Sequence, residues 1–222
     1  MRSVAAPDGA QVPIRIPRAG LVLAVVWTAS GLVLAAVAWA AARTDRPIAD
    51  FTRDPSAALQ TATCNAWDCA YIGFLSNLTL LVWAATAAVC FVVAYLVARQ
   101  GLGRDLATAF LSFGAFTTIL ALDDAFQVHE LVVVRVTASG EELMFGAYGL
   151  ILAALLVRHR SFVLRTPFAL AALSGALLLT SAVFDRWVHG LHLIEDGAKF
   201  VAIVTWGTWL VGTGIAVLTR DV

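Results

Sequence analysis

The chain has 222 residues, 60% of them hydrophobic and only 14% charged, with a mean hydropathy of +0.85 and no formal net charge. Soluble domains carry about 25% charged residues, so this balance excludes an ordinary soluble domain and makes the lipid bilayer the expected solvent. Zero net charge without a basic block gives no reason to expect a nucleic-acid partner.

Residues 1–18 form a basic segment expected on the cytoplasmic side, followed by a first apolar run from Ala19 to Ala42. Ala38-Trp39-Ala40 could be mistaken for a cleavage site, but the run far exceeds the roughly 7 to 15 residues of a signal-peptide core, so a retained helix is expected. Five more runs follow: Ala70 to Ala98, Leu106 to Leu122, Leu143 to Val157, Pro167 to Phe184 and Phe200 to Thr219. A spanning helix takes about 20 apolar residues at about 1.5 Å each, which the first, second and last runs supply and the middle three do not. The expected fold is all-α: a single integral membrane domain over residues 1–222, six transmembrane helices in an antiparallel bundle with short connections.

The one long connection, residues 43–69, carries Cys64 and Cys69 in "CNAWDC", a pair placed to close a disulfide if it faces an oxidising compartment. Cys90, inside the second run, is expected to pack. Seven Trp suggest interface anchors, with Trp39, Trp67 and Trp187 near the outer boundary. A cytoplasmic N-terminus puts nine Lys and Arg inside and six outside, so the positive-inside rule places both termini in the cytoplasm of a cell with a bacterial-type plasma membrane. Twelve of the fifteen acids then face outward, and the outer end is expected to be anionic.

The third run ends in "LALDDAFQVHE", Leu120 to Glu130. Asp123, Gln127 and Glu130 share a face if the helix continues, and the stripe dissolves into a loop if it stops near Asp123. Ser139 and Glu142 fit a capping box for the fourth helix. On the inner side, "RHRSFVLRT" makes His159 a solvated loop residue and offers Thr166 and Pro167 as N-cap and first-turn residues of the fifth helix. The fifth and sixth helices meet in "FDRWVHGLHLIEDGAKF", where Gly190 marks a turn and Glu195 and Lys199 are spaced for an i, i+4 pair. Gly207, Gly212 and Gly214 point to close packing of the last helix.

Two acid-rich connections therefore share the outer surface with three of the four His. The leading expectation is a divalent transition metal held by Asp123, Asp124, Glu130, Asp185, His189 and Glu195, able to activate water or oxygen near a lipid or other membrane-embedded substrate. His129, Glu141, His192, Asp196 and Lys199 complete the polar cluster. Neither H-E-x-x-H nor Glu-x-x-His occurs, so the metal reading rests on co-location. An alternative is the outer mouth of a proton or cation pathway through the same carboxylates. A third is a non-catalytic subunit, as an oligomer or in a larger membrane complex. Lys199, the sole Lys, also suits a Schiff-base cofactor, against which stand six spans and carboxylates within one turn.

Overall fold

The computed structural model describes residues 13–16, 18–55, 71–128, 140–188 and 190–219, without the side chains of residues 140 and 141. Among them are eight helices: α1 Ala19–Thr44, α2 Ile48–Thr52, α3 Phe74–Arg99, α4 Arg104–Phe126, α5 Gly140–Arg158, α6 Arg160–Arg165, α7 Ala169–Trp187 and α8 His192–Leu218. Five of them, α1, α3, α4, α7 and α8, are long and apolar enough to cross a membrane. Cys64, Cys69, Trp67, His129, Glu130, Ser139 and His189, together with the side chain of Glu141, lie outside the described residues, and so do the disulfide and the capping box expected there.

These runs fold as helices because lipid offers no partner for backbone amides and carbonyls, so each must bond within its own segment. Their hydroxyls follow the same logic. Thr79, Thr117, Thr205 and Thr213 each donate to the carbonyl four residues back, at 2.6 to 2.8 Å.

Helix α8 is the axis of the bundle, packing against α1, α3 and α7, while α3 and α4 pair along their length. Apolar burial gives helices little net drive to associate inside a membrane, so close backbone approach and interhelical hydrogen bonds must hold them. The α8 glycines supply the first as expected. A Cβ at Gly207, Gly212 or Gly214 would sit 2.7 to 2.8 Å from Thr86, Ile16 or Val93. Three indoles supply the second, each donating at 3.0 Å: Trp27 to Thr205, Trp206 to Thr117 and Trp209 to Thr166. Ser174 adds a 2.8 Å bond from α7 to the Ala202 carbonyl of α8.

Several local expectations need correcting. Trp83, Trp206 and Trp209 are core residues and not interface anchors, because each indole N–H has a partner inside the bundle; Trp39 and Trp187 are exposed. Thr166 does not cap the fifth helix. It closes the short α6, its hydroxyl turned back to the Val163 carbonyl, and α7 starts only at Ala169. His159 is buried rather than solvated, since it packs against α4, with its ring 6.0 Å from that of Phe113 and its Nε2 3.1 Å from Ser112 Oγ. Helix α4 runs to Phe126 and stops at Gln127, which adopts a left-handed backbone (φ 49°) and returns its N–H to the Asp123 carbonyl. The α-helix therefore ends before Gln127, and whether Glu130 shares a face with Asp123 falls outside the described residues. Gly190 (φ 90°) makes the turn expected between α7 and α8.

Candidate functional site

At one end of the bundle, the last turn of α4, the end of α7 and the first two turns of α8 converge. Residues 45–55 fold over them through α2, whose Phe51 stacks on Tyr71 at 4.6 Å and packs with Val37 and Ala41. This cover brings Asp54 to the carboxylates of the bundle. The result is a cavity of about 470 Å³ with six carboxylates at its head: Asp54, Asp123, Asp124, Asp185, Glu195 and Asp196. Among the described residues, Lys199 is the only cationic one lining it.

The head is internally ordered. Lys199 Nζ lies 3.0 Å from Asp124 Oδ1, and Trp83 Nε1 donates to Asp124 Oδ2 at 3.0 Å. Asp124 thus joins α3, α4 and α8. The i, i+4 pairing expected of Lys199 with Glu195 gives way to this contact on a facing helix. Asp123 is buried and receives the Tyr148 hydroxyl of α5. Ser76 donates to Asp54. Asp196 faces Thr52, and its Oδ2 is buried with no hydrogen-bond partner among the described residues. The Asp185 and Glu195 carboxyl groups meet within hydrogen-bonding range, an approach that two bare carboxylates hold only with a proton or a cation between them. His192 stands 3.6 Å from Glu195 through Nδ1 and does not line the cavity.

Below the head the walls turn apolar. Phe145, Tyr148, Gly149 and Leu152 of α5 form one wall, and Gly175, Leu178, Leu179 and Ala182 of α7 form the other. These two helices scarcely touch, and an exposed Arg186–Glu142 pair at 3.3 Å links them. The floor is aromatic. Phe116 and Trp206 line it, and behind them Phe113, Phe162 and Trp209 pack at centroid distances of 5.1 to 6.3 Å, filling the bundle towards its other end.

Of the six expected metal ligands, four line this one cavity: Asp123, Asp124, Asp185 and Glu195. Glu130 and His189 lie outside the described residues. Among the described residues no three of His, Cys, Asp and Glu are grouped so as to hold a metal ion. Asp124 is also committed elsewhere, its two oxygens engaged by Lys199 and Trp83. Sequence reasoning missed Asp54, Trp83 and Tyr148. Only the folding of α2 over the bundle and the facing of α3 and α5 give these residues a place in the site.

A family model described as "Domain of unknown function (DUF8692)" matches residues 20–213, and the chain belongs to that family. Comparison with curated proteins and with solved structures finds no match.

Proposed function

We propose that this member of the DUF8692 family is a membrane-embedded receptor for a lipophilic molecule, whose head group meets the carboxylates and whose tail lies along the α5 and α7 walls. One observation carries the reading: a single cavity is acidic at one end and largely apolar along the rest, where it is walled by two helices that scarcely touch. A ligand reaching such a site travels through the bilayer, so tail burial costs little while the head group finds charge. Among the described lining residues, six carboxylates against one ammonium favour a cationic head, such as a long-chain amine. Conduction is the weaker reading, because the aromatic floor fills the path that ions or water would take.

In this reading α5 is a sixth span, the bundle is antiparallel, and the positive-inside asymmetry puts the carboxylate end outside a plasma membrane with both termini in the cytoplasm. A second reading is favoured by Asp185 and Glu195 facing each other at the head of the cavity: a divalent cation held between them. Such an ion would polarise a substrate carbonyl or water at the head of the cavity. Elemental analysis of chelator-free protein, with Asp185→Ala and Glu195→Ala, tests it. Near-stoichiometric metal that both variants lose supports it.

The receptor reading is tested by titrating detergent-purified protein with a fluorescent long-chain amine and with the alcohol of equal chain length. A Cβ at Gly175 meets nothing within 4 Å, so in Gly175→Phe the ring goes into the cavity. The expected result is at least about tenfold weaker amine binding in Gly175→Phe with a retained unfolding temperature. Asp196→Asn is expected to weaken the amine and spare the alcohol. Equal amine binding by wild type and Gly175→Phe refutes the assignment.

A further inference from the structure

We propose a second ligand site at the opposite end of the bundle: a cleft that takes a phosphate group, held by Arg104 and Arg165. The cleft has a volume of about 510 Å³ and lies where the start of α4, the short α6 and the end of α8 meet. It shares no residue with the carboxylate cavity. It does not depend on what that cavity binds.

Three features give the cleft its chemistry. Among the described residues, two guanidinium groups, on Arg104 and Arg165, line it against one carboxylate, Asp105, and Ser161 adds a hydroxyl. Guanidinium forks match the oxygens of phosphate in a way that point charges do not. The start of the 23-residue α4 also opens into the cleft, and no side chain caps it, so its first-turn amides and the positive end of the helix dipole add to the field of the arginines. Finally, Gly103 precedes this turn at φ 125° with open space where a side chain would stand, so a bulky group can approach the amides directly.

The remaining lining is apolar, with Leu102, Leu106 and Phe162 beside the arginines at the level where spanning helices end. A lipid with an anionic phosphate head meets both halves of this lining, head on the arginines and glycerol-proximal chain on the leucines. A free phosphate meets only the first half. The shared chemistry is the phosphate group, and the two sources are separable by experiment.

The test counts bound ligand on the full chain by native mass spectrometry, using phosphatidylglycerol, diacylglycerol of the same chains, and inorganic phosphate at constant ionic strength. The site predicts one saturable phosphatidylglycerol per chain with diacylglycerol at least tenfold weaker. Arg104→Gln and Arg165→Gln are each expected to weaken it about tenfold, the scale of a lost charge-assisted hydrogen bond. Arg160→Gln, in the same basic connection but outside the cleft, is expected to leave affinity unchanged. Arg104 is exposed, so its variant tests the site without disturbing the core. If millimolar phosphate displaces the lipid, the phosphate group alone suffices; if it does not, the lipid is the occupant, and both results uphold the site. Equal binding of phosphatidylglycerol and diacylglycerol overturns it, as does an Arg160→Gln loss matching that of Arg104→Gln, which would mark a diffuse basic field.

Discussion

Replacing Lys199 by Met removes the ammonium and most of nothing else, since Met keeps an apolar stem of similar length. What remains is Asp124 held by the Trp83 indole alone. Breaking one side of a fully buried ion pair costs about 3 to 5 kcal/mol. Here the Lys199 and Asp124 side chains are 31% and 15% exposed, so water recovers part of the loss and about 2 to 3 kcal/mol is expected. Asp124→Asn should cost less, about 1 to 2 kcal/mol, because the amide oxygen still accepts from Trp83. The double variant Lys199→Met/Asp124→Asn should then fall short of the sum by about 1 kcal/mol or more, the signature of a direct contact. Reversible unfolding in mixed micelles, followed by tryptophan fluorescence, measures all three. A Lys199→Met protein within about 0.5 kcal/mol of wild type, or strictly additive losses, would show that the pair does not hold α4 to α8.

Further outcomes follow from other parts of the bundle. Gly207→Val places a side chain on Thr86 at 2.7 Å and should cost about 1 to 3 kcal/mol, read in the same unfolding assay. Glu142→Ala breaks only the exposed pair with Arg186 and should stay within about 0.5 kcal/mol. Burial, reinforced by Arg158 and opposed by Asp105, holds the His159 imidazole below its ordinary value. The unfolded chain therefore takes up the proton first. His159 stabilises the fold fully above about pH 6.5, loses that contribution as pH falls below it, and reaches a plateau once the folded state is also protonated. His159→Gln should flatten this part of the pH–stability curve.

The helical runs were legible because apolar stretches bounded by charge carry their own signal, and the turn at Gly190 followed from a single residue type. Co-location of Asp123, Asp124, Asp185 and Glu195 was legible for the same reason: alternate connections of a bundle share an end. What the sequence hid depends on facing. Lys199 looks paired with Glu195 at i, i+4, yet the tighter contact is Asp124, 75 positions away. His159 sits among arginines in the sequence and against Ser112 and Phe113 of α4 in the fold. Asp54 belongs to a connection that reads as solvent-exposed until Phe51 finds Tyr71 and Val37. None of these pairings has a periodicity, so no pattern in the chain announces them.

The central place of α8 also sets an order of assembly during synthesis. The α3–α4 pair uses neighbouring segments and is complete as soon as both have entered the membrane. Trp27, by contrast, bonds a residue 178 positions later, and Asp124 waits for Lys199. Until the last helix arrives, the nascent chain carries an unmatched aspartate near the membrane surface and a first helix with no seat. Chains interrupted before α8 are thus chemically marked as unfinished, by a charge and an exposed indole that only the completed bundle conceals.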